Sequence, residues 1–570
     1  MQPKGKDLLN EVSAITEEHE FYTPEIKGYQ KGKTKYVFIF GTVMSGLGKG
    51  IFSGSLAKLM QDKSFIVEPV KMEGYLNLDS GTLNPFRHGE VFVLDDGTET
   101  DMDLGTYERF LNKNLSKDNF MTSGQIFTKV LERERKGEYL GRDVQFIPHV
   151  TAEIKRRFRE LAVKKNADII FAEVGGTVGD FENSHYMEAI REMIYEEGRE
   201  NICFVALTYI ISPSCLGEQK SKAAQQGIKV LMQYGIQPDI IACRAENPVT
   251  EKIREKISIY SNVPVEHVVS MHDVASIYLI PQLLRDAKID EHVVKILGLE
   301  KRVNKDSMQK NKELWKSFLS GLNAKKTVTI AITGKYTNIR DAYASVHHAL
   351  HHAAMYHHVN LAIKWIETTA IEEGKTTVEQ ELKDIHGIVV PGGFGKRGVE
   401  GKIACLKYAR EHNIPYIGLC YGFQMAVIEF ARNVCGLKGA HTTEVDAKTQ
   451  YPVIDILPEQ KKIEGLGGNM RLGGRDVEVK KGTKAYEIYG NVLNVRERFR
   501  HRYEVNPEYI PLLEKNGLIF SGKAPNQPIM QILELPVQKF FMGSQFHPEF
   551  TSRPLAPNPM YKAFIGACIK

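Results

Sequence analysis

The chain has 570 residues, of which 42% are hydrophobic and 25% charged, and its 75 Lys and Arg against 70 Asp and Glu leave a formal charge of +5. These proportions exclude a disordered or collagen-like chain, and the length indicates two to four domains. The small net charge does not indicate a nucleic-acid partner. Seven cysteines without a CxxC pair are typical of a reducing compartment, and no apolar run is long enough for a membrane span. We therefore expect a cytoplasmic protein with neither nucleic-acid nor membrane partners.

The first predicted elements follow a polar extension, residues 1–30, which lacks a sustained apolar face. Short β-branched or aromatic runs then alternate with helix-like segments as far as residue 298. The runs are Tyr36–Phe40, Ile169–Ala172, Ile202–Leu207 and Ile240–Cys243. This alternation predicts an α/β domain with a doubly wound parallel sheet, and its active-site groups should lie at the carboxyl ends of the strands.

A charged stretch, residues 299–326, interrupts this pattern and includes the helix-like segment Lys312–Leu322. We predict that it is a linker. A second alternating series follows, with strand-like runs at Thr327–Ile332, Ile388–Val390 and Pro415–Leu419. The sequence therefore predicts two α/β domains with doubly wound parallel sheets, at residues 31–298 and 327–570.

The second predicted domain contains a candidate nucleophile, Cys420, in Gly418-Leu419-Cys420-Tyr421-Gly422. This pentapeptide lies between an apolar strand and the helix-like Phe423–Arg432, which is the context of a nucleophile elbow. A helix N-terminus directed at the sulfur favours the thiolate. The alternative is a buried structural cysteine.

Two further segments of this domain supply partners for such a nucleophile. Phe546–Phe550 contains His547 as a base and Glu549 as a carboxylate to orient it. The loop Pro391–Gly395 follows a strand, and its glycines can present N–H groups to an oxyanion. Each segment alone would be an ordinary turn, but together the three predict nucleophilic acyl transfer.

These three motifs, in this order, resemble the class I (triad) glutamine amidotransferases. The resemblance implies that Cys420 attacks the carboxamide of glutamine, His547 transfers the proton, Glu549 orients His547, and ammonia is released. It also implies that glutamine is held at three further positions, namely Gln424, Glu444 and Arg502. Tyr421 is a departure, because many relatives have a smaller aliphatic residue there.

The first predicted domain contains a candidate phosphate loop, Ser45-Gly46-Leu47-Gly48-Lys49-Gly50, between a strand and the helix-like Ile51–Met60. Glycine amides and a lysine in this position can hold phosphates. The loop is an imperfect Walker A motif, because Val43 replaces the first glycine and Gly50 stands where Ser or Thr would bind magnesium. Asp103 and Glu173 are then the candidate Mg²⁺ ligands. A plain glycine turn and a solvated acidic loop are the alternatives.

Five segments of the chain also resemble the CTP synthase family. They are Ser45–Gly50, Asn84–Val93, Asp103–Phe110, Glu173–Asp180 and Gly235–Asp239. The resemblance implies that ATP phosphorylates O4 of UTP and that ammonia from glutamine then displaces the phosphate. It further implies Mg²⁺ as cofactor, GTP as allosteric activator, CTP as feedback inhibitor, and a homotetramer with nucleotide sites at subunit contacts.

The same resemblance assigns individual positions. Lys49 and Lys71 would contact ATP phosphates, and Asp103 and Glu173 would hold Mg²⁺. The pyrimidine-triphosphate positions are Lys220, Lys222, Gln225 and Lys256, and the positions that sense CTP are Asp180 and Glu182. The GTP-linked loop contains Gly393, Phe394 and Arg397. Ala223-Ala224 and Glu73-Gly74 depart from the Pro–Thr and Asp–Pro pairs of many relatives.

Two other functions stay open from the sequence: an ATP-dependent amidotransferase that amidates carboxylates, and a filament-forming homologue with a mainly structural role. One further feature is a group of six histidines within twelve residues, His347, His348, His351, His352, His357 and His358. On the predicted helix Asp341–Tyr356, His347 and His351 form one i, i+4 pair, and His348 and His352 form another. The alternatives for this group are a solvated helix face, a metal site and a self-association surface. The last interpretation predicts filament assembly that changes between about pH 6 and 8 through His351 and His352.

Overall fold

The computed structural model describes residues 26–139, 141–213, 215, 217–334, 340–456 and 470–569. The chain divides into two units that are interleaved along the sequence. The first unit consists of the chain up to Asp79 together with Lys117–Glu313, and the second of Ser80–Ser116 together with the chain from Leu314 onward. The predicted extension, residues 1–30, lies almost entirely outside the described residues.

The first unit has, within the described residues, one sheet of seven parallel strands. In spatial order the strands are Phe120–Thr122, Val67–Glu73, Ile169–Val174, Lys35–Gly41, Ile202–Tyr209, Ile240–Ala245 and Val268–His272. Its α-helices are Lys49–Asp62, Ser123–Arg135, Thr151–Lys165, Ser184–Glu197, Lys222–Gln233, Glu251–Ser261, Ile280–Asp286 and Ile289–Ile296. Strand residues Phe38 and Phe40 pack in one core with Phe158 and Ile190 from two of these helices. Near-complete burial of the strands is what helices on both faces of a parallel sheet require.

The second unit has a mixed sheet of nine strands in the described part of the chain. Five parallel strands come first in spatial order, namely Asn360–Glu367, Thr327–Gly334, Gly387–Val390, Tyr416–Leu419 and Phe541–Ser544. Four antiparallel strands continue the sheet, namely Met530–Glu534, Ile519–Lys523, Arg471–Val479 and Asn494–His501. The α/β fold class is therefore confirmed for both units, and the antiparallel edge is an addition to the predicted parallel sheet.

The smaller elements of the second unit complete it. Two small sheets consist of His441–Thr442, Pro452–Ile456 and Tyr503–Val505, and of Phe92–Val93 and Glu99–Thr100. The α-helices are Pro85–His88, Met102–Leu111, Ala344–Tyr356, Thr368–Glu372, Val378–Glu381, Val399–Glu411, Tyr421–Asn433, Lys484–Ile488, Ile510–Lys515, Pro548–Thr551 and Pro559–Ile569. No helix among the described residues has both the length and the apolar character needed to cross a bilayer.

The segment Ser80–Ser116 lies in the second unit, whereas the sequence predicted residues 31–298 as one continuous domain. Buried Glu108 holds it there, because its carboxylate accepts hydrogen bonds from Arg498 (2.8 Å) and Arg553 (2.5 Å). The predicted linker, residues 299–326, contains the helix Lys305–Leu319, which overlaps the predicted helix-like segment Lys312–Leu322 and begins seven residues earlier. The observed division therefore differs from the predicted boundaries, because long-range packing of the segment outweighs its position in the sequence.

The histidine-rich helix begins at Ala344 and ends at Tyr356. Its i, i+4 pairs do form, with ring centroids 4.5 Å apart for His347 and His351. His352, however, is completely buried, and its Nδ1 lies 3.0 Å from Ser552 Oγ. Burial, aided by the charge of Arg109, lowers the pKa of His352 well below its usual value, and burial also lowers that of His351. The predicted solvated face and its charging between about pH 6 and 8 are therefore wrong for His352, whereas His351 is half-buried.

Candidate active site

The predicted strand–turn–helix around Cys420 is present in the second unit. Cys420 follows the strand Tyr416–Leu419, precedes the helix Tyr421–Asn433, and has φ +49° and ψ −94°. A non-glycine residue with positive φ is strained, as expected at a nucleophile elbow. Gly422 is required here, because a Cβ would lie 2.1 Å from the carbonyl oxygen of Val390. The elbow therefore directs the helix N-terminus at the sulfur.

His547 and Glu549 form a hydrogen-bonded pair at the end of the neighbouring strand Phe541–Ser544. His547 Nδ1 lies 2.7 Å from Glu549 Oε1. Burial alone lowers the pKa of His547, but Glu549 and the sulfur of Cys420 outweigh burial and raise it to about 10. Because Nδ1 is held by Glu549, Nε2 is the nitrogen that can exchange a proton with Cys420.

The oxyanion loop, Pro391–Gly395, lies directly beside these side chains. A Cβ on Gly392 would be 2.8 Å from His547 Cε1 and 3.7 Å from Cys420 Cβ, so only glycine fits without displacing the histidine. The N–H of Gly395 donates to Glu444 Oε1 at 2.7 Å. The loop thus runs beside Cys420 and His547, and its other backbone N–H groups are the candidates for stabilising an oxyanion.

These groups line one cavity of about 390 Å³ within the second unit. Its lining includes Cys420, Gly392, Gly393, Phe394, Lys402, Arg500, Arg502, His547, Glu549, and several residues between Gly81 and Val91. The guanidinium of Arg500 lies 5.4 Å from the ring centroid of Phe394. A nucleophile, an acid–base pair and cationic side chains therefore share a space large enough for an amino acid.

The three predicted glutamine-holding residues lie in different surroundings. Arg502 lines the cavity. Gln424 is buried, and its Nε2 donates to the carbonyl oxygen of Tyr503 at 2.9 Å. The carboxylate of Glu444 accepts a hydrogen bond from the N–H of Gly395. Arg397, at the far end of the loop, is exposed and lies 3.7 Å from Glu367 Oε1.

Two residues near the sulfur were missed by the sequence analysis. Gln545 Nε2 lies 3.6 Å from Cys420 Sγ. Glu90 also lines the cavity, and its carboxylate accepts hydrogen bonds from the N–H (3.0 Å) and Oγ (2.5 Å) of Ser345. Burial and the nearby Glu549 raise the pKa of Glu90 to about 7. Gln545 could have been predicted from its position two residues before His547. Glu90 could not, because it is far from Cys420 and His547 in the sequence.

The predicted phosphate loop of the first unit joins the strand Lys35–Gly41 to the helix Lys49–Asp62. Gly46 and Gly48 have φ +74° and +80°, conformations that glycine adopts without strain. Lys49 is the first residue of the helix, and its Nζ donates to the carbonyl oxygen of Gly176 at 2.6 Å. Val43, the departure from Walker A, has φ +72°. The loop thus combines a helix N-terminus with a lysine, as an anion site requires.

The adjoining strands Val67–Glu73 and Ile169–Val174 bring Lys71 and Glu173 together as register partners. Lys71 Nζ lies 2.7 Å from Glu173 Oε1 and 3.4 Å from Glu73 Oε1. Glu173 is only 1% exposed. Glu73, which stands where many relatives have Asp, thus places a second carboxylate beside Lys71. Gly74 leaves no room for a Cβ, which would lie 2.6 Å from Asn183 Oδ1.

The residues predicted to sense CTP and those predicted to hold the pyrimidine triphosphate also belong to the first unit. The carboxylate of Asp180 accepts hydrogen bonds from the N–H (2.6 Å) and Oγ1 (2.8 Å) of Thr177, whereas Glu182 is exposed. Gln225 is buried on the helix Lys222–Gln233, and its Nε2 donates to Ser221 Oγ at 3.0 Å. Lys220, Lys222 and Lys256 are exposed, and Lys220 pairs with Glu218.

The two predicted Mg²⁺ ligands belong to different units, Glu173 to the first and Asp103 to the second. Asp103 lies in the first turn of the helix Met102–Leu111, and its N–H donates to Asp101 Oδ1 at 2.8 Å. The anionic oxygen of Glu173, close to a phosphate loop, fits Mg²⁺ chemically. No group of three or more His, Cys, Asp or Glu side chains within the described residues could by itself hold a metal ion.

Comparisons with known proteins match both units. Two family models match, the CTP synthase N-terminus over residues 35–299 and the class-I glutamine amidotransferase over residues 338–567. The CTP synthases of Pyrococcus abyssi and Pyrococcus furiosus are 50% and 49% identical to the chain over 536 residues, covering 94% of the chain and 98% of each relative. Among solved structures, the glutaminase domain of Trypanosoma brucei CTPS with bound acivicin is 37% identical, covers 42% of this chain and 94% of that chain, and has a TM-score of 0.39.

Proposed function

The chain belongs to the CTP synthase family, and from this we propose that it aminates UTP to CTP, using ATP and ammonia from glutamine. The observation that carries this proposal is the similarity to CTP synthases over 94% of the chain. The same similarity favours UTP over the carboxylate substrates of the alternative considered from sequence. The cavity that contains Cys420, His547 and Glu549 supports glutamine as the nitrogen donor.

We propose that hydrolysis of glutamine takes place in this cavity. The sulfur of Cys420 attacks the carboxamide carbon, and the oxyanion receives hydrogen bonds from the N–H groups of the oxyanion loop. His547 gives its proton to the leaving nitrogen, the C–N bond breaks, and ammonia departs. Water then attacks the thioester with His547 as base, which releases glutamate and restores the thiol. Gln424, Glu444 and Arg502 would hold the amino acid.

The synthase step is assigned to the first unit. The γ-phosphoryl group of ATP would pass to O4 of UTP, and ammonia would then attack C4 while phosphate leaves with O4. Lys49 and Lys71 are the cations that would stabilise charge on the transferring group. Lys220, Lys222, Gln225 and Lys256 would hold the UTP triphosphate. The 4-phosphorylated intermediate is part of this proposal.

In the first unit Mg²⁺ would be held by Glu173, with phosphates and water among its other ligands. Asp103 stays a ligand predicted from the family resemblance. When bound, Mg²⁺ would neutralise charge on the ATP phosphates. Lys71 contacts both Glu73 and Glu173, so the lysine balances carboxylates that would otherwise repel one another. Lys71 therefore offsets negative charge of both carboxylates.

Regulation and assembly follow from the family resemblance. CTP would inhibit through Asp180 and Glu182, and GTP would activate through the loop that contains Gly393, Phe394 and Arg397. We further propose a homotetramer in the cytoplasm, which can stack into filaments.

Incubation of the full chain with UTP, ATP, Mg²⁺ and glutamine tests the function, with formation of CTP as the expected result. Ammonium in place of glutamine should also support the reaction. No CTP with either nitrogen donor would refute the proposal.

A further inference from the structure

Tyr421, the residue in which the elbow departs from many amidotransferases, contacts the oxyanion loop directly. It follows Cys420 and is the first residue of the helix Tyr421–Asn433. Its hydroxyl donates to the carbonyl oxygen of Gly395 at 2.8 Å. An aliphatic side chain at this position has no donor for that oxygen. The contact therefore belongs to this chain rather than to the general elbow.

Tyr421 can act on the oxyanion through two groups, its backbone N–H and its hydroxyl. As the first residue of a helix it has an N–H without a partner inside the helix, and the residue after a nucleophile is where an elbow supplies one oxyanion donor. Its hydroxyl at the same time holds the loop that supplies the other donors. The side chain of Tyr421 therefore limits the distance between its own N–H and the N–H groups of the oxyanion loop.

Gly395 is held on both of its polar groups. Its N–H donates to Glu444 at 2.7 Å, while its carbonyl oxygen accepts from Tyr421. The end of the loop is also fixed, since the N–H of Gly398 donates to Glu372 Oε2 at 2.7 Å. Among these bonds, only the one from Tyr421 joins the loop to the residue adjacent to the nucleophile.

We infer that Tyr421 is a positioning residue, whose hydroxyl holds the oxyanion loop against the elbow and thereby raises the rate of glutamine hydrolysis. The inference rests on the proposed glutaminase function.

The surroundings of Tyr421 suit this role. The ring is 2% exposed, and Lys402 Nζ lies 5.1 Å from its centroid, which fixes the ring through a cation–π contact. Burial, together with Glu444 and Glu372, raises the pKa of Tyr421 above its usual value. The hydroxyl therefore stays a neutral donor throughout the pH range of an assay.

Tyr421→Phe tests the inference, because it removes the hydroxyl and keeps the ring. We expect kcat for glutamate release without GTP to fall about three- to tenfold, as for loss of one neutral hydrogen bond, with KM for glutamine nearly unchanged. A lower kcat with an unchanged KM would show that alignment of the oxyanion donors, rather than binding of glutamine, is affected. Tyr421→Leu, with the aliphatic type common in relatives, should behave in the same way.

A matched control is Tyr489→Phe, which removes a hydroxyl hydrogen bond of 2.9 Å, to Glu497, outside the cavity. It should leave kcat and KM as in the native protein. Native-like values for Tyr421→Phe, or a loss that appears in KM rather than in kcat, would overturn the inference. Failure of the proposed function is distinguishable, because the native protein would then release no glutamate.

Discussion

At the scale of single residues, the surroundings of His547 decide its charge. Burial favours the neutral imidazole, whereas Glu549 at 2.7 Å and the sulfur of Cys420 favour the imidazolium. The second effect prevails, and the pKa rises to about 10. At neutral pH the residue is thus a proton donor for a leaving nitrogen and a counter-ion for a thiolate.

The raised pKa of His547 predicts the pH dependence of glutamine hydrolysis. Because the folded-state pKa is about 10, the proton donor is present at neutral pH and is lost as the pH rises through that value. Glu549→Gln removes the carboxylate that raises the pKa, so the alkaline limb should move to lower pH. The pH profile of kcat for glutamate release measures this, and identical alkaline limbs in both proteins would contradict the assignment.

A second prediction at this scale separates the two chemical steps. Cys420→Ala removes the nucleophile, so CTP formation from glutamine should be abolished while CTP formation from ammonium persists. Cys435→Ala removes a half-buried cysteine outside the cavity lining and should leave both rates unchanged. Loss of both activities in a folded Cys420→Ala protein would refute separate sites.

The same cysteines predict the course of chemical modification. A glutamine-analogue electrophile should label Cys420 well before Cys435, because the elbow and His547 activate the former and burial raises the pKa of the latter. Mass mapping of the labelled peptides measures the order. Equal labelling of the two would show that the elbow does not activate its cysteine.

At the scale of elements, both candidate sites form where parallel strands end. In the first unit, the register that pairs Lys71 with Glu173 places a cation and a carboxylate side by side, next to the loop that contains Lys49. In the second unit, the ends of two adjacent strands provide Cys420 and His547. Parallel strands direct their carboxyl ends to one edge of a sheet, so residues distant in sequence meet there.

This arrangement predicts the effect of changes at the phosphate loop. Lys49→Ala and Glu173→Ala remove electrostatic stabilisation of phosphoryl transfer, so CTP formation from ammonium should fall about 100-fold or more. Glutamate release should be much less affected, because these residues belong to the other unit. The control is Lys229→Ala, which changes an exposed lysine in the first unit and should leave CTP formation from ammonium near normal. Near-normal turnover of either loop variant would refute the ATP-site assignment.

At the scale of the whole molecule, the chain crosses between its two units more than once. The second unit includes Ser80–Ser116, and this segment is held by a buried cluster in which Glu108 contacts Arg498 and Arg553. The same segment supplies Glu90 to the cavity around Cys420. A change within this segment therefore acts on the unit that hydrolyses glutamine.

Glu108→Ala tests the importance of this cluster. It leaves two buried guanidinium groups without their carboxylate, which should destabilise the second unit by about 3–5 kcal/mol. Thermal inactivation of glutamate release measures the effect, with Glu514→Ala, an exposed glutamate, as the control expected within about 0.5 kcal/mol of native. Equal inactivation temperatures for the two variants would show that the cluster is not needed for stability.

The sequence by itself determined the α/β class, the elbow around Cys420 and the loop around Lys49, because each is encoded in a short run of residues or in a regular alternation. Only the tertiary structure decided that Ser80–Ser116 joins the second unit and that His352 is buried. Those outcomes depend on contacts between residues far apart, such as Glu108 and Arg498, which are separated by 390 positions. Local patterns do not distinguish an acidic residue in solvent from one paired in a core, since the difference lies in what the rest of the chain packs against it.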